Sequence, residues 1–152
     1  MSQFLGTHQN RLDAKGRVSV PAAFRAMLRK DGDAVGLILR PSHKHACIEA
    51  WPAPVFEALA GQLQGLDLFS EAHDDMAAAI YADAWSLEAD KEGRILLPEP
   101  LVAHAGLTDS VAFMGLGRTF QIWEPDAARR RREEARERAR ARGLTLPAGI
   151  PS

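Results

Sequence analysis

The sequence predicts an α+β protein that contains two copies of one small structural unit. The motif Asp-x-x-Gly-Arg-x-x-x-Pro occurs at residues 13–21 and again at residues 90–98, with an apolar-rich triplet between Arg and Pro in both copies. Each copy is followed by a short helical pattern and then by two strand patterns that are joined by a turn. Self-similarity at a fixed spacing indicates a repeat architecture. One unit of this size is too small to bury its own apolar faces.

The first motif predicts a tight turn between two strands. Asp13 can accept hydrogen bonds from the backbone two residues further on, and Gly16 can adopt a positive φ without steric cost. We therefore expect Lys15 and Arg17 at or beside the tip of the turn. Pro21 cannot donate a hydrogen bond to a neighbouring strand, so the second strand ends there. The second copy of the motif predicts the same turn.

Each motif is preceded by one strand and followed by a short helix and a hairpin. Alternation of apolar and polar residues predicts the strands, and apolar residues three and four positions apart predict the helices. The expected strands before the motifs span 5–10 and 84–89, the helices 22–28 and 101–105, and the hairpins 35–51 and 111–123. Each hairpin ends in a tryptophan, Trp51 or Trp123, after which a proline and a further helix follow.

Two helices are expected between the repeats, over residues 55–63 and 67–82. In the second helix, one set of residues is expected to face the core and an acidic set to face solvent. The inward set is Phe69, His73, Met76 and Ile80, and the outward set is Asp67, Glu71, Asp74 and Asp75.

An arginine-rich helix is predicted from residue 126 to residue 142, and it contains no large apolar residue. A helix that is polar all round is solvent-exposed or only marginally stable. One interpretation is that it adds non-specific attraction for DNA. The other, which we favour, is that it docks loosely on the acidic helix of residues 67–82. Residues 143–152 are expected to be disordered.

Composition places the chain among globular proteins of one ordinary domain or two small ones. It has 152 residues, of which 46% are hydrophobic, and Cys47 is its only cysteine. A disulfide framework within the chain is therefore excluded, and a reducing compartment such as the cytoplasm is expected. No signal peptide and no membrane-spanning segment are expected, because the sequence lacks the apolar runs that they require.

The net charge of −1 hides an uneven distribution. Residues 129–142 contain eight arginines and three glutamates, so this run carries +5 and the rest of the chain carries −6. Overall charge thus gives no support to nucleic-acid binding. Any such function has to depend on local basic patches.

Three other patterns are weaker functional candidates. His43, His45 and Cys47 offer metal ligands on alternate residues, but no second cluster completes a tetrahedral set. Residues 115–118 contain two glycines but lack the Lys-Ser/Thr of a phosphate-binding loop, so a hairpin turn is expected. Ser19 and Cys47 lack a convincing catalytic partner. We therefore expect no metal, no cofactor and no enzymatic activity.

The two motifs carry a resemblance to a known family. Each resembles the AbrB-type swapped-hairpin unit through its Asp-x-x-Gly-Arg core and the proline four residues after the arginine. Two such units in one chain, with Gly6-Thr7 before the first and His104-Ala105-Gly106-Leu107 after the second, resemble the MraZ family of bacterial transcriptional regulators. The resemblance extends from about Phe4 to Asp126.

The resemblance implies how the two repeats are arranged. They are expected to interlock within one chain as a pseudo-dimeric β-barrel of two swapped hairpins, with short flanking helices. The implied organisation is a first repeat at 5–52, connecting helices at 53–82, a second repeat at 83–126, and the arginine-rich helix with the tail at 127–152. Because the family assembles into rings, a homo-oligomer in the form of a ring is also expected.

The resemblance implies a sequence-specific, DNA-binding regulator of transcription in the cytoplasm, associated with the nucleoid. By this resemblance it binds repeated sites upstream of its own operon, which contains cell-division and cell-wall genes. The implied partner is double-stranded DNA, while no small-molecule substrate, cofactor or membrane is expected. A rival interpretation is an oligomeric interaction module or antitoxin-like protein in which DNA binding is secondary. The acidic body of the chain and its degenerate second motif favour that rival.

Position-by-position comparison with the family motif gives five candidate DNA contacts. These are Lys15 and Arg17 within the first motif, Arg11 and Arg25 beside it, and Arg94 in the second motif. Arginine suits this role because its planar guanidinium group binds phosphate or guanine through two hydrogen bonds. The second motif has Glu92 at the position of Lys15, so it is expected to contact DNA less than the first.

Overall fold

The computed structural model describes residues 3–30, 33–34 and 36–146 of the chain. Within these ranges the strands are β1 (Thr7–Arg11), β2 (Arg17–Ser19), β3 (Arg29–Lys30), β4 (Asp33–Ala34), β5 (Leu37–Pro41), β6 (Ile48–Pro52), β7 (Trp85–Leu87), β8 (Arg94–Leu96), β9 (Ser110–Gly115) and β10 (Phe120–Trp123). The α-helices are α1 (Ala22–Met27), α2 (Ala53–Leu63), α3 (Glu71–Ala77), α4 (Glu99–His104) and α5 (Pro125–Ala141), and a π-helical segment, Ala78–Ala82, continues α3. The predicted α+β class is confirmed. The tail expected to be disordered lies outside the described residues from 147 onwards.

Six strands form one antiparallel sheet, in which one strand of each repeat pairs with a strand of the other repeat. The order of strands is β1-β9-β10-β6-β5-β7. Strand β1 of the first repeat pairs with β9 of the second, with Arg11 opposite Ser110. Strand β7 of the second repeat pairs with β5 of the first, with Leu87 opposite Leu37. The expected exchange between the two repeats is therefore confirmed.

The strands that follow the two motif turns pair with each other. Strands β2 and β8 form a two-stranded antiparallel ribbon, here called the motif ribbon, in which Val18 lies opposite Ile95. These two residues occupy equivalent positions in the two motifs, so the pseudo-twofold axis that relates the repeats passes through the centre of the ribbon. Both side chains are buried against the core.

The expected closed barrel is not confirmed. Strands β1 and β7 form the two edges of the six-stranded sheet, and they do not pair with each other within the described part of the chain. An isolated bridge between Leu12 and Val18 connects the chain after β1 with the motif ribbon. The ribbon strands are only three residues long, too short to continue the ladder along both edges, so the sheet stays open.

The main core lies between the sheet and the motif ribbon and joins both repeats. Phe4 and Phe24 come from the first repeat, whereas Phe113 and Phe120 come from the second, and all four are at most 1% exposed. The ring centroids of contacting pairs are 5.0 to 6.4 Å apart. Aromatic pairs at such distances add attraction to the burial of a large apolar area. The cluster needs both repeats, so we expect them to fold as one unit.

Helices α2 and α5 cover the opposite, outer face of the sheet. Beneath α5, a second buried cluster comprises Cys47, Ala112, Met114, Trp123 and Ala128. Helix α2 contacts β5 and β6, and Phe56 packs edge-on against Trp51 with ring centroids 6.0 Å apart. None of the helices in the described ranges combines the length and the apolar character needed to cross a membrane.

The segment between the repeats differs from the prediction in its helical phase. Helix α3 begins only after Ser70, whose Oγ accepts a hydrogen bond from the backbone N–H of His73 at 3.1 Å. Phe69 lies in the preceding turn and is 92% exposed, and Met76 is 38% exposed, whereas Ile80 is buried. The predicted inward set is therefore wrong for Phe69 and Met76. The later start of α3 explains the error for Phe69, and the π-helical segment Ala78–Ala82 changes the angular spacing between Met76 and Ile80.

Helix α5 packs on β9 and not on the acidic helix, so the favoured interpretation of its docking is wrong. Ala128 is fully buried against the sheet and anchors the first half of α5. The ion pairs of α5 join Arg129 to Asp126 and Glu133, and Glu134 to Arg131 and Arg138. The helix thus carries its own counter-charges, three or four positions from its arginines.

Replacing Phe24 by alanine is expected to destabilise both repeats together. The substitution removes a ring that packs against Phe4, Phe113 and Phe120, and truncation of a buried phenylalanine costs about 3–5 kcal/mol. Urea unfolding followed by circular dichroism and by tryptophan fluorescence should give one common transition at a lower midpoint. Leu146→Ala, an exposed change, should stay within ~0.5 kcal/mol of the native chain. Two separate transitions would contradict a shared core.

Candidate nucleic-acid interface

The first motif turn is closed by Asp13. Its Oδ1 atom accepts hydrogen bonds from the backbone N–H groups of Lys15 at 3.0 Å and of Arg17 at 2.8 Å. Its Oδ2 atom accepts a hydrogen bond from Nε of Arg17 at 2.7 Å, which is also an ion pair. Gly16 has a φ of +88°, a conformation that residues with a side chain rarely adopt. Arg17 is therefore a structural part of the turn.

The second motif turn repeats this geometry. The Oδ1 atom of Asp90 accepts hydrogen bonds from the backbone N–H groups of Glu92 and Arg94, both at 2.9 Å. Its Oδ2 atom accepts one from Nε of Arg94 at 3.0 Å. Gly93 has a φ of +79°. The Asp-x-x-Gly-Arg pattern thus has a structural cause, since Asp, Gly and Arg each fix the turn.

The outer side of the motif ribbon carries an arginine at each of two diagonal corners. Successive side chains of a strand point to opposite faces, so the residues on either side of the buried Val18 and Ile95 face outwards. Arg17 lies opposite Leu96, and Ser19 lies opposite Arg94. Leu96 is 60% exposed. Each arginine stands beside its own turn, at one end of the ribbon.

The structure places Arg25 at the second motif turn, although it follows the first motif in sequence. Arg25 lies on α1, and its Nη1 atom donates a hydrogen bond to the carbonyl oxygen of Glu92 at 3.3 Å. Its guanidinium lies so close to Gly93 that a Cβ atom there would collide with it. Val102, the equivalent residue of the second repeat, lines a hollow together with Gly16 of the first turn. The helix after each motif therefore packs near the turn of the other motif.

Arg29 joins this end of the ribbon, although sequence reasoning did not single it out. It is exposed and lines a hollow together with Arg25, Asp90 and Gly93. Arg29 begins β3, after α1 has ended at Met27, so its place beside Arg25 depends on how the chain packs and had no signal in the sequence. Lys91 is exposed within the second turn itself. The end of the ribbon at the second turn thus has more basic residues than the motif alone suggests.

The two turns differ in how their charges are partnered. Nη2 of Arg94 pairs with Glu92 at 3.0 Å, so carboxylates hold both sides of this guanidinium. The equivalent position in the first turn is Lys15, and the terminal nitrogens of Arg17 make no hydrogen bond within the described residues. Lys15 shares a hollow with Glu99, which moderates the local charge. The first turn therefore has the freer arginine, and the second turn has more cations around it.

Arg11 lies apart from the other candidates. It is exposed at the end of β1, opposite Ser110 of β9. Residues that lie opposite each other in paired strands share a face of the sheet, and Ala112 and Met114 of β9 face α5. The side chain of Arg11 therefore leaves the strand on the outer face. The structure brings four of the five candidates to the motif ribbon and places the fifth on the other side of the sheet.

A family model covers both motif turns and the motif ribbon. The family is described as "MraZ protein, putative antitoxin-like", and its model matches residues 3–78 and 80–142. The chain belongs to the MraZ family. The resemblance that the two motifs carry is therefore confirmed.

Similar proteins support the same family over nearly the whole chain. The protein named Transcriptional regulator MraZ in Gluconacetobacter diazotrophicus is 67% identical over 151 residues, which cover 97% of this chain and 94% of that protein. The protein of the same name in Gluconobacter oxydans is 60% identical over 156 residues, with 100% and 94% covered. The one in Xanthobacter autotrophicus is 43% identical over 140 residues, with 92% and 88% covered.

Of the three residues considered as metal ligands, His45 and Cys47 belong to the packing of this MraZ-family chain, whereas His43 is exposed. Cys47 is fully buried, and burial raises the pKa of its thiol to about 12, so it stays protonated at neutral pH. The ring of His45 packs on Trp123 with centroids 5.7 Å apart, and burial lowers the pKa of His45. In the part of the chain that the structure describes, no three His, Cys, Asp or Glu side chains are grouped so as to hold a metal ion.

Neutralising Asp13 is expected to weaken the fold in a pH-dependent way. Hydrogen bonding from the backbone N–H of Arg17 is the main cause that lowers the pKa of Asp13 below its usual value of 3.8. A lowered pKa contributes stability above the usual value, and this contribution is lost as the pH falls through the folded-state pKa. Asp13→Asn should therefore be less stable than the native chain at neutral pH, and the difference should shrink below pH 3.8.

Urea unfolding of both proteins at neutral pH and at several pH values below 3.8 measures this difference. Asp83→Asn removes one exposed carboxylate from the loop before β7 and is the matched control, for which no such trend is expected. A difference between Asp13→Asn and the native chain that stays constant down to the lowest pH would rule out the charge of Asp13 as its cause.

Proposed function

We propose that this chain is a sequence-specific, DNA-binding regulator of transcription in the cytoplasm, associated with the nucleoid. The observation that carries the proposal is the outer side of the motif ribbon, with Arg17 and Arg94 at its diagonal corners and basic residues around both turns. Three similar proteins bear the name Transcriptional regulator MraZ, which supports the regulatory role. The proposed targets are repeated sites upstream of the chain's own operon of cell-division and cell-wall genes.

The motif ribbon is a two-stranded element, the kind that is proposed here to enter the major groove of DNA. The major groove admits a two-stranded β-ribbon, and its base edges differ for every base pair. In the proposed complex the outward residues of the ribbon face the bases. Arginine there recognises guanine through two hydrogen bonds, and an apolar residue such as Leu96 contacts the methyl group of thymine. These contacts give sequence specificity.

The residues at the two ends of the ribbon give affinity. In the proposed complex, the phosphates of the DNA duplex lie close to the basic residues at both ends of the ribbon. These residues are Lys15 at the first turn and Lys91, Arg25 and Arg29 at the second. Phosphate contacts position the protein without reading sequence. Each contact adds ~0.9 to the steepness with which log affinity falls with log salt concentration. The proposed binding is therefore strongly salt-dependent.

We also propose that the chain acts as a homo-oligomer arranged as a ring. One ribbon offers few base contacts, because its strands are three residues long. Several ribbons that engage repeated sites together raise affinity by ~10²–10⁴-fold without any new contact. The proposed function involves no catalysis, no cofactor and no small-molecule substrate.

A protein-binding, antitoxin-like role is the rival proposal. The family description contains the word antitoxin-like, and α3 exposes a row of carboxylates that suits a protein partner better than DNA. In this rival, the basic turns maintain the fold and DNA binding is secondary. The two proposals differ in whether DNA binding survives salt and competition.

Binding of the native chain to labelled DNA from directly upstream of its gene tests the proposal. The titration is repeated at several salt concentrations and with an excess of unrelated DNA. Tight, salt-sensitive binding that resists the competitor is the expected result. Binding that the competitor abolishes, or no binding at all, would overturn the proposal and favour the rival.

Exchanging charge at the equivalent positions of the two turns should change DNA affinity in opposite directions. Glu92→Lys removes the carboxylate that pairs with Arg94 and adds a cation, so it should tighten binding. It should also steepen the salt dependence by ~0.9 for each additional phosphate that the variant neutralises. Lys15→Glu should weaken binding and flatten the salt dependence. Fluorescence anisotropy over a salt series measures both quantities.

Arg140→Glu is the control for this pair, because Arg140 is exposed on α5, across the sheet from the motif ribbon. It should leave affinity and salt dependence close to those of the native chain. If Lys15→Glu and Arg140→Glu weakened binding equally, overall charge and not the ribbon would control the interaction.

A further inference from the structure

We infer that copies of this chain assemble head to tail, with Phe69 of one copy inserted into a hollow beside α5 of the next. The inference rests on the proposed homo-oligomer and names the two surfaces that make its contact. It does not depend on DNA binding. Four observations carry it: an exposed aromatic on a hydrogen-bonded turn, an apolar hollow, complementary charges, and the separation of the two surfaces on the molecule.

The first surface is the turn at residues 67–70, here called the Phe69 turn. Oδ1 of Asp67 accepts a hydrogen bond from the backbone N–H of Phe69 at 3.1 Å, and Oγ of Ser70 donates one to the carbonyl oxygen of Asp67 at 2.7 Å. The turn is therefore held by its own hydrogen bonds. Yet Phe69 is 92% exposed and Leu68 beside it is 63% exposed. Adjacent large apolar residues that a hydrogen-bonded turn presents to water indicate an interaction site.

The second surface is a hollow of about 340 Å³ between α5 and the edge of the sheet, here called the α5 hollow. Its walls include Met114, Gly115 and Leu116 from β9 and the turn after it, and Ala135 from α5. Arg131, Arg132 and Arg136 line the same hollow on its helix side. Leu116 is 51% exposed, so part of this apolar wall is open to solvent. The volume is sufficient for an aromatic side chain.

The charges around the two surfaces are complementary. Glu71, Asp74 and Asp75 follow the Phe69 turn on α3, are exposed, and form no ion pair within the described residues. Arg132 and Arg136 at the α5 hollow are likewise exposed and without an ion pair in the described part of the chain. Docking brings the two sets together and leaves the apolar contact at the centre. This arrangement of an apolar centre and a charged rim is typical of protein interfaces.

The two surfaces lie on different halves of the molecule. The α5 hollow is at the β1–β9 edge of the sheet, whereas α2 lies over β5 and β6 and α3 packs against α2. Strands β10 and β6 separate β9 from β5. The contact therefore joins separate copies, and it joins two different surfaces. A heterologous contact of this kind generates a ring when its rotation closes.

Two variants of the full-length chain test the inference, one for each surface. Phe69→Asp damages the turn and leaves the hollow intact, whereas Leu116→Asp damages the hollow and leaves the turn intact. Sedimentation velocity should show an oligomer for the native chain and a monomer for each variant. An equimolar mixture of the two variants should form a species of two chains, because one intact turn and one intact hollow remain.

Controls separate loss of the contact from loss of the fold. Leu146→Asp introduces the same charge at another exposed leucine, 77% exposed, and should assemble like the native chain. Circular dichroism and the urea midpoint of each monomeric variant should indicate a folded protein. Ala135→Trp, which fills the hollow from α5, is a second hollow variant and should also be monomeric.

The outcomes distinguish failure of this inference from failure of the proposed homo-oligomer on which it rests. A monomeric native chain would overturn both the proposed homo-oligomer and the inference. An oligomeric native chain whose assembly survives Phe69→Asp or both hollow variants would overturn the inference alone. Monomeric variants that fail to form two-chain species on mixing would exclude the pairing of these two surfaces.

Discussion

The exchange of strands between the two repeats is the constraint on which the rest of the molecule depends. Because β1 pairs with β9 and β7 pairs with β5, neither repeat can complete its sheet without the other. The same exchange brings Phe24 against Phe113 and Phe120, so the aromatic core belongs to both repeats. It also carries Arg25 onto the turn of the other motif. The core and the basic surface therefore arise from one set of contacts between the repeats.

The arginine of each motif has a structural role in its turn, in addition to its role as a candidate DNA contact. The carboxylate of Asp90 accepts two backbone hydrogen bonds and a side-chain hydrogen bond from Arg94. Such charge-assisted bonds fix geometry, although an exposed ion pair itself contributes little to stability. This explains why the second motif keeps its aspartate, glycine and arginine while Glu92 occupies the position of Lys15. The turn needs the first three residues and does not need a lysine.

Features with local causes could be predicted from the sequence, and features set by distant pairing could not. The motif turns follow from an aspartate and a glycine within four residues of each other, and the hairpins follow from alternation bounded by turn residues. The face that Arg11 occupies depends on its register with β9, about a hundred residues away. The position of Arg25 depends on the exchange of strands. The prediction for Phe69 is wrong because the Ser70 cap starts α3 later than the apolar spacing suggests.

Separation of charge between two faces reconciles a net charge of −1 with the proposed DNA-binding surface. The exposed cations of the candidate interface surround the motif ribbon, whereas the carboxylates of α3 lie on a helix that packs against α2. At physiological salt, interactions between exposed charges decay over about 8–10 Å, so DNA at the ribbon responds mainly to the nearest basic groups. A strongly cationic protein would bind any DNA through its overall field. In the proposed complex, local charge is modest and several copies bind together through a separate surface, so base contacts and the spacing of sites would determine where the protein binds.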